Sequence, residues 1–136
     1  MTTNIIDLTK GIFDAQPFSQ FVGAQLAHAD GNSVELRLPI QKNVQQQHGY
    51  VHGGALSYLA DNAITFAGGI ALGGDALTSE FKINYVKPAA GDFVSARATS
   101  VSTGKRQAVC RCELYAVSGD TSTLCALAQG TVIKKG

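Results

Sequence analysis

Charge is scarce in this sequence. Charged residues make up 15% of its 136 positions and the formal net charge is +1, a balance that gives no reason to expect nucleic acid or an anionic membrane as partner. No segment approaches the roughly 18 uninterrupted apolar residues of a membrane span. No cationic stretch followed by an apolar run lies at the N-terminus, where Met1–Lys10 is polar and mixed, so no secretory signal is expected. Cysteine is confined to Cys110, Cys112 and Cys125. An odd count without C-x-x-C spacing points away from a disulfide framework or a metal site and toward reduced thiols in the cytoplasm. Repeats, low-complexity tracts and internal linkers are also missing, and the length fits one domain, residues 1–136, with a sizeable core. So few charges leave more surface that an oligomer could hide.

What is present is a clear order of elements. Residues 5–21 carry apolar positions in a helical segment interrupted near Gln16-Pro17. Gly23–His28 and Ser33–Leu38 read as strands joined by Asp30-Gly31-Asn32, a hairpin-turn signal. Val34-Glu35-Leu36-Arg37-Leu38 alternates apolar with charged, as a strand with one wet face does. Pro39–His52 is a polar, glutamine-rich loop. Residues 54–72 are rich in alanine and leucine, free of proline and closed by Gly73-Gly74, the strongest helix signal in the chain. Four strands follow, at 76–86, 92–102, 107–118 and 121–134. Their short links of turn-forming residues predict an antiparallel meander. Cys110 and Cys112 share one face of the third of these and read as core filler. One long helix, apolar on nearly every side, beside so many strands implies an α+β fold with an antiparallel sheet wrapped around that helix.

The chemistry concentrates at Gln46-Gln47-His48-Gly49-Tyr50-Val51-His52-Gly53-Gly54 and in the helix it opens. Two glycines at a helix start let a ligand approach the backbone, and the N–H groups of Gly53, Gly54 and Ala55 lack intrahelical acceptors. An ester or thioester carbonyl placed there would be polarised, and a developing oxyanion held more tightly still. Asp61 is the one carboxylate within the helix, and an unpaired acid in an apolar setting needs a reason. It lies on the face of Gly54, Tyr58 and Thr65, about 10 Å along the axis from the glycines. That is too far for both groups to meet one atom in one chain, so a site at a dimer interface is predicted. His48 and His52 have the four-residue spacing of a metal pair, but the glycine beside each and the lack of a third ligand favour loop-ordering hydrogen bonds.

The pattern His48-Gly49-x-x-His52-Gly53-Gly54-x6-Asp61 resembles the signature of the hotdog-fold acyl-CoA thioesterases of the phenylacetate-pathway (PaaI-like) type. The resemblance runs from about Phe21 to Ile133 and includes Asn84-Tyr85-Val86-Lys87-Pro88-Ala89 and Ala128-Gln129-Gly130-Thr131. It implies hydrolysis of an acyl- or aryl-CoA thioester without a metal or other cofactor, by a homodimer that pairs into a dimer of dimers. Asp61 would be general base or nucleophile, and Gly54 of the partner subunit would donate its N–H to the carbonyl, with Gly53 assisting. Gln46, where relatives often carry asparagine, would reach the leaving sulfur or the water. Ser79 would orient that water. His48 and His52 would shape the pocket, with Tyr58, Thr65 and Phe66 lining it, and Lys87, Lys105 and Arg106 would meet the phosphates of CoA. Two other readings share the fold: a non-catalytic acyl-CoA-binding module, and an enoyl-thioester hydratase or dehydratase using a histidine with Asp61.

Overall fold

The computed structural model describes residues 4–136. Helix α1 (Ile5–Asp14) is capped by Asn4, whose side chain accepts the Ile6 N–H at 3.0 Å. Helix α2 (Pro17–Val22) starts on a proline and closes on Gly23 at φ 80°. The interruption expected near Gln16-Pro17 is thus a break between two helices, because proline fits a first helical turn but not an interior one. The hairpin β1 (Gln25–Ala29) and β2 (Ser33–Pro39) follows. Its turn is held by Asp30, whose Oδ1 accepts the N–H groups of Asn32 and Ser33, each at 2.8 Å. A short 3-10 turn at Lys42–Val44 leads to the long helix α3 (Gly53–Leu72). Strands β3 (Ala76–Tyr85), β4 (Phe93–Thr103), β5 (Gln107–Ser118) and β6 (Thr121–Lys134) complete the chain.

These strands form one six-stranded sheet in the order β1-β2-β4-β5-β6-β3, with every pairing antiparallel. The expected four-strand meander is therefore corrected. Only β4-β5-β6 form one; β3 pairs with β6, and β4 enters between β2 and β5. The physical difference lies in the links. Gly104-Lys105-Arg106 and Gly119-Asp120 are tight enough for hairpins, whereas the β3–β4 link contains Pro88, which lacks an N–H and holds the residue before it extended. That link crosses the end of the sheet, with the Ala89 carbonyl accepting from Val51 N–H at 3.0 Å.

Helix α3 lies in the hollow of the sheet and touches every strand from β2 to β6. By length and composition alone it could cross a membrane; its burial against the sheet makes it the core helix. Leu56, Leu59, Ala60, Ala63, Ile64, Ala67 and Gly68 pack inward at helical spacing. Each large aliphatic side chain so buried contributes about 1.5–3 kcal/mol. At Gly68 an added Cβ would lie 2.6 Å from the Cβ of Val132, so glycine permits this close contact between α3 and β6. The helix ends at Gly73, φ 79°, whose N–H bonds the Gly69 carbonyl at 2.9 Å. Cys110, Cys112 and Cys125 are free thiols buried in the core.

The other side of α3 is covered by α1 and α2. Phe13 packs against Phe66, with ring centroids 6.2 Å apart. Ser19 bonds the Tyr58 hydroxyl at 2.5 Å and the Gln16 side chain at 2.6 Å, and Asn62 donates to Gln16 Oε1 at 2.9 Å. A partly buried polar network of this kind is stabilising only when its members find partners, and here no buried side-chain polar atom among the described residues is left unpartnered.

Candidate active site

The start of α3 is built by His52. Its backbone is extended (φ −61°, ψ 137°) and its Nδ1 accepts the Gly54 N–H at 2.8 Å, an N-cap made by a ring nitrogen. This geometry requires the neutral imidazole with its proton on Nε2. The N–H groups of Ala55 and Leu56 turn back to the His52 carbonyl at 2.9 and 3.2 Å. Among the described residues, the Gly53 N–H is left without an acceptor. The loop before it is held by its own backbone. Gln46 N–H reaches the Tyr50 carbonyl at 2.8 Å, Gly49 takes φ 87°, and His52 N–H bonds the Val44 carbonyl at 2.8 Å. The Gln46 side-chain oxygen accepts from His48 N–H, which leaves its amide NH2 free to donate. His48 and His52 are exposed, and no metal-binding cluster of His, Cys, Asp or Glu occurs among the described residues.

In front of this helix start lies a cavity of about 370 Å³, lined by Gln46, Tyr50, Val51, Gly53, Leu56, Tyr85, Val86, Lys87, Pro88 and Ala89. Three residues expected from sequence, Gln46, Gly53 and Lys87, therefore meet at one opening. Tyr85 is a bracing residue that sequence reasoning missed. Its hydroxyl donates to the Gly53 carbonyl at 3.1 Å and shares a hydrogen bond with Ser57 at 2.6 Å, bracing the first turn. Its place in the Asn84–Ala89 segment was the available signal.

Asp61 is half-buried, on the next turns of the same helix. Thr65 Oγ1 donates to the Asp61 carbonyl at 2.8 Å, lies 3.4 Å from Asp61 Oδ1, and is hydrogen-bonded to the Thr78 hydroxyl. The carboxylate has no ion-pair partner among the described residues. Eight helical steps separate it from Gly53, about 12 Å along the axis. Ser79 sits at the irregularity between Thr78 and Glu80 where β3 loses register with β6, and it is exposed. Within the chain, the β3 hydroxyl joined to the Asp61–Thr65 pair is that of Thr78. Tyr58 shares the face as predicted, but its hydroxyl is committed to Ser19 and Asn62, and burial raises its pKa. It offers the site a ring, not a proton.

The basic residues part company. Lys87 lines the cavity, whereas Lys105 and Arg106 form the β4–β5 turn. The Arg106 carbonyl accepts from Lys134 N–H at 2.8 Å, and Lys134 pairs with Ala76 at the start of β3. Tyr85 ends that strand, about 30 Å away by strand rise. One chain does not bring Lys105 and Arg106 to Lys87.

A curled antiparallel sheet around one long helix is the architecture of the hotdog fold, and the chain belongs to the thioesterase superfamily, whose family model matches residues 48–123. Within it the protein is PaaI-like. It is 31% identical to a mutant form of the phenylacetic acid degradation protein PaaI from Thermus thermophilus, with a TM-score of 0.76 over 88% of this chain and 100% of that one. A thioesterase family protein from Silicibacter pomeroyi superimposes with a TM-score of 0.88 at 27% identity, covering 98% of this chain and 100% of its own. A conserved protein from Pseudomonas aeruginosa is 31% identical over 88% of this chain and 94% of its own, with a TM-score of 0.74. No curated protein sequence is significantly similar to this one.

Proposed function

We propose that this protein hydrolyses acyl- or aryl-CoA thioesters to the free acid and CoA, at sites shared between two copies of the chain. The observation that carries this reading is the pair formed by the acceptor-free Gly53 N–H and Asp61 on one helix, about 12 Å apart. The thioester carbonyl of a substrate in the Gly53 cavity accepts that N–H, and the helix dipole adds to the polarisation. The Gln46 amide is placed to assist at the carbonyl or the sulfur. The partner's Asp61 then acts on the carbonyl carbon. As general base it takes a proton from water as the oxygen attacks; the C–S bond breaks, and the proton passes to the CoA thiolate. As nucleophile its carboxylate attacks the carbonyl carbon, the C–S bond breaks and CoA leaves as the thiolate. Water then hydrolyses the mixed anhydride to the free acid and the carboxylate of the partner's Asp61, the released proton going to the thiolate. Lys87 at the cavity rim suits a phosphate of CoA. Lys105 and Arg106, at the far end of the sheet, serve such a role only toward a site completed by another copy.

The edge of the sheet supports the dimer. Strand β3 has a neighbour on one side only, and Leu77, Tyr85 and Val86 along it are exposed. A long open edge with apolar side chains is a template for pairing with a second chain. The buried thiols agree with a reducing, cytoplasmic setting.

The test is release of free CoA thiol from a panel of acyl- and aryl-CoA thioesters by the wild type and Asp61→Asn. The expected result is turnover by the wild type and a loss of about hundredfold or more in a folded mutant. A loss below about tenfold would remove Asp61 from the mechanism. Tight binding without turnover would make the protein an acyl-CoA-binding module, and hydration of an enoyl chain would make it a hydratase.

A further inference from the structure

The face of the sheet turned away from α3 carries a second cavity, of about 370 Å³, lined by side chains of Lys82, Asn84, Arg111, Glu113, Leu127 and Gln129. Cys112, Leu114 and Ala128 alternate with them and are buried in the core, so these six point outward, as strand pleating requires. Strand register sets them in two rows of three. Arg111 on β5 faces Gln129 on β6, and Gln129 faces Lys82 on β3. Two residues along, Glu113 faces Leu127, and Leu127 faces Asn84. The first row therefore holds a guanidinium and an ammonium two strand spacings apart, about 10 Å, with an amide between them. The second row runs from an acid through a leucine to an amide.

The two cations have no carboxylate facing them. On its other side Arg111 faces Thr99 of β4. Lys82 lies on β3, the edge strand, with no further strand beyond it. Neither is in an ion pair among the described residues. The acids nearest along their own strands are engaged elsewhere: Glu113 faces Arg97 of β4, and Glu80 accepts from the Thr131 hydroxyl at 2.6 Å. Two like charges over one hollow repel each other, and an anion bound between them turns that repulsion into attraction.

We propose that this hollow is a binding site for a small phosphate monoester with an apolar stem, apart from the cavity at Gly53. A phosphate carries about −1.5 to −2 charges near neutral pH, which matches two cations. It lies over Gln129, where the long side chains of Arg111 and Lys82 reach it from either side and the Gln129 amide donates a further hydrogen bond. The stem covers Leu127, which is half-buried. Glu113 repels a second acidic group at its corner and so fixes the direction in which the ligand lies. The inference rests on the outer face of the sheet and is independent of the thioesterase reading.

The test is calorimetric binding of butyl phosphate, inorganic phosphate and adenosine monophosphate to the whole protein at about 0.15 M salt, where loose surface attraction is screened. The variants are Arg111→Gln, Lys82→Gln, Leu127→Ala and, as a charge control on an exposed residue away from the hollow, Lys42→Gln. Circular dichroism checks that each keeps its fold. Butyl phosphate is expected to bind the wild type and to weaken about tenfold in Arg111→Gln and in Lys82→Gln, since each loses a charge-assisted hydrogen bond. Leu127→Ala should weaken butyl phosphate about threefold and leave inorganic phosphate unchanged. Lys42→Gln should change neither. No binding of butyl phosphate overturns the proposal. So does a loss in Lys42→Gln as large as in Arg111→Gln, because net charge alone would then explain it. Binding of adenosine monophosphate without binding of butyl phosphate also overturns it and assigns the hollow to a nucleotide.

Discussion

The residue that decides how the helix start works is His52. Sequence places free N–H groups on Gly53, Gly54 and Ala55 alike and gives Gly54 the leading role. The structure divides them, because an imidazole two positions before Gly54 caps that N–H at 2.8 Å. A glycine pair announces the open backbone in sequence, but which N–H stays open depends on a side-chain torsion. The division yields a sharp prediction. In Gly53→Pro the new ring sits at the first helical position, where proline is tolerated. The extended backbone of His52 suits a following proline, and a Cβ at position 53 meets only the Tyr85 ring, at 3.5 Å. The variant should fold, with an unchanged circular dichroism spectrum, yet lose about hundredfold in kcat/KM because the open N–H is gone. The thiols give a second prediction. Burial first, and the charge of Glu113 second, push the Cys112 thiol from 9.0 up to about 12, and burial pushes Cys125 up to about 11. The unfolded thiol ionises near its ordinary value while the folded one resists, so this stabilisation is whole below about pH 9 and is lost as pH climbs toward 12. The urea midpoint should fall across that interval, and less steeply in Cys112→Ala.

At the scale of elements, the helix was the most legible part of the chain and the strand order the least. Residues 54–72 announce themselves by composition and by closing glycines, and the helix runs Gly53–Leu72. The strand boundaries also come close, since turn residues mark them. Strand partners do not follow from turn chemistry when a link crosses the end of the sheet, and β3 went to β6 for that reason. The partly buried tie of Gln16, Ser19, Tyr58 and Asn62 was equally hidden, because nothing in residue order pairs helix α2 with this side of α3. Close packing between elements supplies a test. Gly68→Ala puts a methyl 2.6 Å from Val132 Cβ and should cost about 1–3 kcal/mol in urea unfolding. Adding Val132→Ala should return part of that loss, a coupling that two independent sites would not show.

For the whole molecule, the separation of Gly53 from Asp61 along one helix carries the main consequence. If each site takes its N–H from one copy and its carboxylate from the other, two inactive variants complement. Mixing Asp61→Asn with Gly53→Pro under conditions that exchange subunits makes mixed dimers in which one site is intact and the other has lost both groups. Random pairing then restores about a quarter of wild-type activity per chain, since half the dimers are mixed and each has one of two sites. Recovery absent after verified exchange would place both groups in one chain.

The sequence by itself determined the class of the fold, the long core helix, the acid on it and the glycines at its start, because local periodicity and turn chemistry write these directly into residue order. Tertiary structure alone decided that β3 lies at the sheet's edge, that Tyr85 braces the first turn, that Thr78 rather than Ser79 joins Thr65 and Asp61, and that Lys105 and Arg106 stand far from Lys87. Those are relations between elements distant in sequence, fixed by how the sheet curls around the helix, and no local pattern encodes that curvature.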